Sequence, residues 1–259
     1  MPPRALQPSG LLLVDKPAGP SSFQVIAAIR RRTRARTGHA GTLDPFASGL
    51  LLVLSGAATR LAPWLVGLDK RYATDVDLSA RTSTGDPEGE ALEHHDPPLH
   101  EELVRRLEPL RGEVELRVPA ASAVKIDGER AYKLHRRGEE VEMPMRRSRV
   151  DSLELLGYED GVASLDLRVS SGTYVRAIAD ALGGHCRSLR RTEVGPFSVD
   201  DADDERILPA TDVLPFLPAV EVGAAEAAAI RTGRARAAAD TRTLHAGELV
   251  AVGSVVMPV

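Results

Sequence analysis

Apolar and polar positions alternate along this chain in several distinct rhythms, and each rhythm names an element. Residues 11–14 form a short continuous apolar run, which is the pattern of a buried strand, and Lys16, Pro17 and Gly19 close it as a turn. A helix is expected to open at Ser21. Ser21 and Gln24 have the spacing of a capping box, and Phe23, Ile26 and Ile29 are expected on one helical face. The arginines that follow would stand at the C-terminal end of this helix, where the macrodipole favours cations. Residues 38–49 show neither period, carry Gly38, Gly41, Gly49 and Pro45, and are expected to form a loop.

Strand-like alternation returns over 72–78, and 83–89 reads as a polar, turn-rich connection. An acidic helix is expected over 101–110, strands over 114–118 and 163–169, and a helix over 174–182. Many strands broken by few helices predict an α+β body on a central mixed, largely antiparallel sheet. A proline-containing stretch, 208–218, then precedes an alanine-rich helix at 224–230 and a short β segment at 249–256. The expected division is therefore a main domain over 1–215 and a small C-terminal module over 216–259.

Composition narrows the class. A chain of 259 residues with 43% hydrophobic content suits an enzyme-sized globular body. Its apolar runs fall far short of the roughly 20 residues that a membrane helix needs, and its start lacks the pattern of a signal peptide. A soluble, cytoplasmic protein is expected. Cys186 is the only cysteine, which excludes an internal disulfide and a thiolate metal cluster.

The net charge of −4 argues against an evenly spread surface for a polyanion, but the charge is patterned. Arg30, Arg31, Arg32, Arg34 and Arg36 form one basic cluster, Arg146, Arg147 and Arg149 a second, and Arg187, Arg190 and Arg191 a third. Acidic residues gather over 101–108 and 200–205. Any one such run reads as a solvated face, while three basic clusters together favour a polyanionic partner.

Asp44 is the first candidate for chemistry. It lies between Leu43 and Pro45, with Gly41 and Gly49 close by, so a rigid turn would aim its carboxylate. An aspartate that merely caps its own loop fits the local sequence equally well. A carboxylate with a nearby arginine stays ionised and can serve as nucleophile or base, and Arg176 is a candidate partner. Tyr72 and Tyr174 are notable in a chain only 3% aromatic, either as platforms for a base or as core rings. His94, His95 and His100 lie near Asp96 and Glu101, but adjacent histidines point apart and the segment reads as a linker, so no metal site is expected. Glycine-rich phosphate loops are absent.

Taken in order, these blocks resemble the TruB branch of the pseudouridine synthases. Residues 15–22, Asp-Lys-Pro-Ala-Gly-Pro-Ser-Ser, are similar to that family's opening motif, and 38–49 to its catalytic loop. Lys70-Arg71-Tyr72 followed by Thr82, Thr84, Asp86 and Gly89 resembles its second block, and Gly172-Thr173-Tyr174-Val175-Arg176 its third. Leu189-Arg190-Arg191-Thr192 with Gly195 and Phe197 is similar to the fourth. Val124 to Gly128 and Arg130-Ala131-Tyr132 resemble its lysine-bearing strand and the start of an RNA-gripping insertion, about 124–152.

The resemblance implies a pseudouridine synthase fold with a PUA-like C-terminal module, and isomerisation of the T-loop uridine at position 55 of tRNA. It implies that Asp44 is the essential aspartate and that Arg176 pairs with it. Tyr72 would stack on the extruded uridine, His39 help displace it, and Tyr174 and Leu189 line the pocket. Lys16 is counted with these substrate-binding residues, and Arg30, Arg31, Arg146 and Arg190 with contacts to RNA phosphates. No cofactor and no metal are implied, the partner is the tRNA T-arm, and a monomer is expected. The alternatives are a tRNA-folding chaperone whose catalysis is dispensable, and a synthase acting on another RNA or a relative guided by a small RNA. The short C-terminal module speaks against the latter.

Overall fold

The computed structural model describes residues 9–139 and 141–257. The chain divides into two compact units, one holding residues up to Leu68 together with those from Glu193 onward, the other spanning Asp69–Thr192.

The first unit opens with β1 (Gly10–Lys16), in which every residue but Asp15 is buried. Helix α1 (Ser22–Thr33) has the full capping box at Ser21 and Gln24, each side chain accepting from the other's backbone N–H. Its buried stripe is Ser22, Ile26 and Ile29, whereas Phe23, expected with them, is 69% exposed. Spacings of four and three keep a stripe on one side, but Phe23 stands roughly 120° around the helix from Ile29. Arg30, Arg31 and Arg32 occupy the last turn, and Arg34 ends the helix in a left-handed conformation.

Strands β2 (Thr37–His39) and β3 (Ser48–Ser55) claim both ends of the expected 38–49 loop, leaving 40–47 irregular. The near-continuous apolar run of β3 is buried on both faces and pairs antiparallel with β1, from Gly10 opposite Ser55 to Lys16 opposite Gly49. Helix α2 (Ala62–Val66) follows.

In the second unit β4 (Lys70–Asp77) alternates cleanly and buries Lys70, Tyr72, Thr74 and Val76. Strands β5 (Ala80–Thr82) and β6 (Ala91–His94) pair as a hairpin around the polar turn at 83–89. Helix α3 (His100–Leu107) buries Leu103 and Leu107, and β7 (Gly112–Arg117) comes next. Strands β8 (Lys125–Ile126) and β9 (Glu129–Arg130) form a tight hairpin whose corner, Asp127-Gly128, has φ of 49° and 89°. Two positive φ values are what a two-residue turn matched to strand twist demands. Helix α4 (Ala131–Arg136) completes this insertion.

The long β10 (Met145–Glu159) and β11 (Val162–Val169) pair antiparallel, so the last part of the expected 124–152 insertion is sheet. Helix α5 (Val175–Leu182) packs against α3, and β12 (His185–Val194) begins in this unit. The strand order here is β12-β4-β11-β10-β7. Leu165 and Leu167 of β11, Val150 and Leu153 of β10, and Ile178 and Leu182 of α5 are all buried core residues.

The chain completes the first unit with β13 (Phe197–Ser198) and β14 (Asp203–Pro209), which lies antiparallel on β1. Strands β15 (Ala219–Glu221), β16 (Arg242–His245), β17 (Glu248–Val252) and β18 (Val255–Val256) then form a small sheet of their own, with helix α6 (Ala224–Arg231) against it. Ala227, Ile230, Val250 and Ala251 make its inner core. Leu249, Val252 and Met257 instead join the cluster built on Leu50, Leu52, Leu54, Leu61 and Leu65, so the C-terminal sheet closes the core of the first unit. Among the described residues no helix is long and apolar enough to cross a membrane.

Candidate active site

Asp44 stands on an irregular segment whose backbone is tied down on both sides. Ser22 is buried at the start of α1, and its hydroxyl both donates to the Leu43 carbonyl and accepts from the Leu43 N–H, each at 2.9 Å. On the other side the Pro45 carbonyl accepts from the Gly19 N–H at 2.8 Å and from Lys16 Nζ at 3.2 Å. The Ala47 N–H donates to the Asp44 carbonyl at 3.2 Å, and the Ala40 N–H to Leu52 of β3 at 3.0 Å. Gly41 and Gly49, with φ of 103° and 101°, make the bends that L-residues resist. Asp44 is half-buried on a backbone fixed at its neighbours. Strand β2 carries the half-buried His39, set opposite Val53.

Lys16, expected among the substrate-binding residues, has no solvent exposure, and its ammonium donates to the carbonyls of Pro17 at 2.9 Å, Pro20 at 2.8 Å and Pro45 at 3.2 Å. Three carbonyls match the three protons of an ammonium, so Lys16 holds the loop on which Asp44 stands.

The second unit gathers the other candidates. Tyr72 is 8% exposed on β4, opposite Leu167. Tyr174 caps the start of α5, half-buried against the cluster of Val118, Ala131 and Met143. Leu189 is buried on β12. Arg176, in the first turn of α5, is 3% exposed. Its guanidinium donates to the carbonyls of Thr84 at 2.6 Å and Ala121 at 3.0 Å and faces the Asp86 carboxylate at 3.4 Å. Asp86 is itself buried and accepts from the Thr84 hydroxyl at 2.5 Å and the Glu88 N–H at 3.1 Å. A buried ion pair is sustained by this kind of surrounding hydrogen bonding. The turn at 83–89 is thus the cradle of Arg176, more than a connection. Asp44 belongs to the other compact unit; within its own unit the acid that faces Arg176 is Asp86.

Lys70 is absent from the sequence-based site although it opens the Lys-Arg-Tyr block. It is 5% exposed, and Nζ donates to the Ser171 hydroxyl at 3.1 Å. Burial, and then Arg191, push its pKa down to about 8, against a smaller opposing effect of Asp69.

The basic clusters divide on inspection. Arg31 and Arg146 are exposed, and Arg30 is exposed while donating to the Thr37 hydroxyl and carbonyl at 3.3 Å. Arg190 is half-buried on β12. Other members are committed internally: Arg32 to Asp204, Arg147 to Glu115, and Arg149 to Asp69 and Asp151. Arg191 is 1% exposed, because strand pairing turns it inward where the local run of charge reads as surface.

Among the described residues no group of three or more His, Cys, Asp or Glu is placed to hold a metal ion, and Cys186 is fully buried. A cavity of about 890 Å³ between α1 and β14, lined by Pro17, Gln24, Ile29 and Asp204, does not include Asp44.

Comparison with known proteins closes the question of family. The sequence profile described as TruB family pseudouridylate synthase (N terminal domain) matches residues 30–175. The protein named tRNA pseudouridine synthase B of Leifsonia xyli subsp. xyli is 42% identical over 224 residues, covering 80% of this chain and 74% of its own. That of Chromohalobacter salexigens is 40% identical over 259 residues, covering 92% and 84%. A crystal structure of a Cbf5-Nop10-Gar1 complex matches with a TM-score of 0.71 over 97% of this chain and 79% of that one, at 24% identity, a likeness of fold. With two compact units, a clamped aspartate loop and relatives of this identity and coverage, the chain belongs to the TruB family of pseudouridylate synthases.

Proposed function

We propose that this protein is a tRNA pseudouridine synthase that converts the T-loop uridine at position 55 of tRNA to pseudouridine, with Asp44 as its essential catalytic group. The observation that carries the reading is the double tie on the backbone around Asp44, by Ser22 at Leu43 and by Gly19 and Lys16 at Pro45. A reaction that holds one carboxylate against a sugar and a rotating base needs that rigidity. The names of the relatives, tRNA pseudouridine synthase B, support tRNA as the substrate.

The reaction is an isomerisation. The bond between N1 and C1′ breaks, the uracil turns, C5 bonds to C1′, and the proton of C5 is lost while N1 gains one. Asp44 acts as an ionised carboxylate, whether it attacks C1′, attacks C6 or removes a ribose proton. Arg176 supplies the opposing charge. The target nucleotide leaves its stack at a cost of a few kcal/mol, which stacking on Tyr72 and contacts to phosphates offset. His39 assists the displacement, Tyr174 and Leu189 line the uracil pocket, and Arg30, Arg31, Arg146 and Arg190 meet RNA phosphates. Residues 216–259 act as a small PUA-like RNA-binding module attached to a catalytic domain over 1–215. The protein works without metal or organic cofactor, as a monomer, in the cytoplasm.

Site-resolved pseudouridine mapping of unmodified tRNA, treated with wild type or Asp44→Asn in chelator-containing buffer, tests this. Conversion of the T-loop uridine by wild type alone is the expected result. Refolding of misfolded tRNA by both proteins without conversion by either would replace the reading with an RNA-folding chaperone.

A further inference from the structure

Lys70 costs the fold something and takes no part in the chemistry described above. Strand β4 presents it on the same buried face as Tyr72. It stands opposite Val169, the last residue of β11, from which the chain turns through Ser170, Ser171, Gly172 and Thr173 into Tyr174 and α5. That turn is tied at one end and in its middle. At one end the Ser170 N–H donates to the Arg149 carbonyl at 2.8 Å, the Arg149 N–H returns a bond to the Ser170 hydroxyl at 3.0 Å, and the Thr173 N–H closes on the Ser170 carbonyl at 3.3 Å. In the middle the Lys70 ammonium donates to the Ser171 hydroxyl at 3.1 Å. Tyr174 and Arg176 emerge directly from the turn so fixed.

A neutral side chain would fill the same place more cheaply. Burying an ammonium is unfavourable, and the neighbouring Arg191, 1% exposed, adds like-charge repulsion. Residues that lower stability while sitting beside a binding site are characteristically kept for function. We propose that Lys70 is a positioning residue: its ammonium pins the 170–173 turn and thereby sets where Tyr174 and Arg176 stand for the target nucleotide. This rests on the function proposed above.

The test uses the full chain as wild type, K70M, K70R and S171A, with unmodified tRNA as substrate, and reads kcat, KM and Tm for each. K70M should lose roughly tenfold or more in kcat, equivalent to about 1.4 kcal/mol in the barrier, with KM almost unchanged. Its Tm should rise by about 5 °C, since a desolvated charge has been removed. K70R, which keeps the charge, should recover part of the lost kcat, and S171A should lose kcat in the same direction. Wild-type kcat in K70M, or a fall in Tm accompanying the fall in kcat, overturns the inference, the latter by making Lys70 an ordinary structural support. A wild-type protein that leaves the uridine unconverted overturns the proposed function and this inference with it, whereas active wild type with indifferent K70M removes the inference alone.

Discussion

Lys70 holds its proton less tightly in the folded chain, at a pKa of about 8 where an ordinary lysine has 10.5, because burial and then Arg191 penalise the charge while Asp69 opposes them. Between those two values the folded chain has released a proton that the unfolded chain still binds. Unfolding there takes up a proton, so the contribution of this group to stability rises as pH climbs from about 8 to 10.5. Below that window both states are protonated and the penalty is present in full, on the order of 3 kcal/mol. The difference in unfolding free energy between K70M and wild type, read from urea titrations, should therefore be largest below pH 8 and shrink toward pH 10.5. A difference that stays constant across the window would mean that the ammonium is solvated. Residues of this kind are the least legible in sequence. Ser21 and Gln24 announced their capping box because its partners lie three positions apart, and Asp44 stood out on its glycine- and proline-rich loop. The burial of Lys16, Lys70 and Arg191 has no local signal, since only pairing between distant strands turns them inward.

At the level of elements, the hairpin of β5 and β6 shows how a segment that looks like a connection can hold a candidate site residue in place. Its turn at 83–89 supplies both the Thr84 carbonyl and the Asp86 carboxylate that hold Arg176. Gly89 closes the turn so tightly that a Cβ there would lie 2.4 Å from the Thr84 hydroxyl and 2.7 Å from its backbone nitrogen. Backbone cannot swing aside as a side-chain tip can, so Gly89→Ala must open the turn. A loss of about 1–3 kcal/mol in stability, typical of overpacking, should accompany a fall in kcat as Arg176 shifts. Gly67→Ala is the control, because no atom lies within 4 Å of its Cβ and φ is −72°. Equal urea midpoints for the two variants would sink the idea. Elements with clean alternation, β4 and β11, are legible from sequence alone. Strand β10 was hidden by its outward arginines and glutamates, and β12 by two consecutive exposed residues, Arg187 and Ser188, that break its period. Strand β14 was hidden by the acidic run that opens it.

For the molecule as a whole, the question is how a chain with 33 basic and 37 acidic residues grips a polyanion. Affinity for RNA depends on local cations that displace counterions from phosphates, and each such contact adds roughly 0.7–0.9 to the slope of log K against log salt. Net charge does not enter that slope, but internal pairing does. Arg32 is bonded to the Asp204 carboxylate and backbone carbonyl, and Arg149 is shared between Asp69 and Asp151. Such a guanidinium must leave its carboxylate to reach a phosphate, and one exchange largely cancels the other. Arg30 donates to a threonine and Arg31 is exposed, so both keep their charge available at the end of α1. Replacing Arg30 and Arg31 together by glutamine should weaken tRNA binding and lower the salt slope by roughly 1.5, as expected for two lost phosphate contacts. Replacing Arg32 and Arg149 together should change the slope by much less, although the same formal charge is removed. Filter-binding titrations of tRNA over a salt series separate the two cases. Equal slopes for the two double variants would mean that internal pairing does not decide which arginines reach a phosphate.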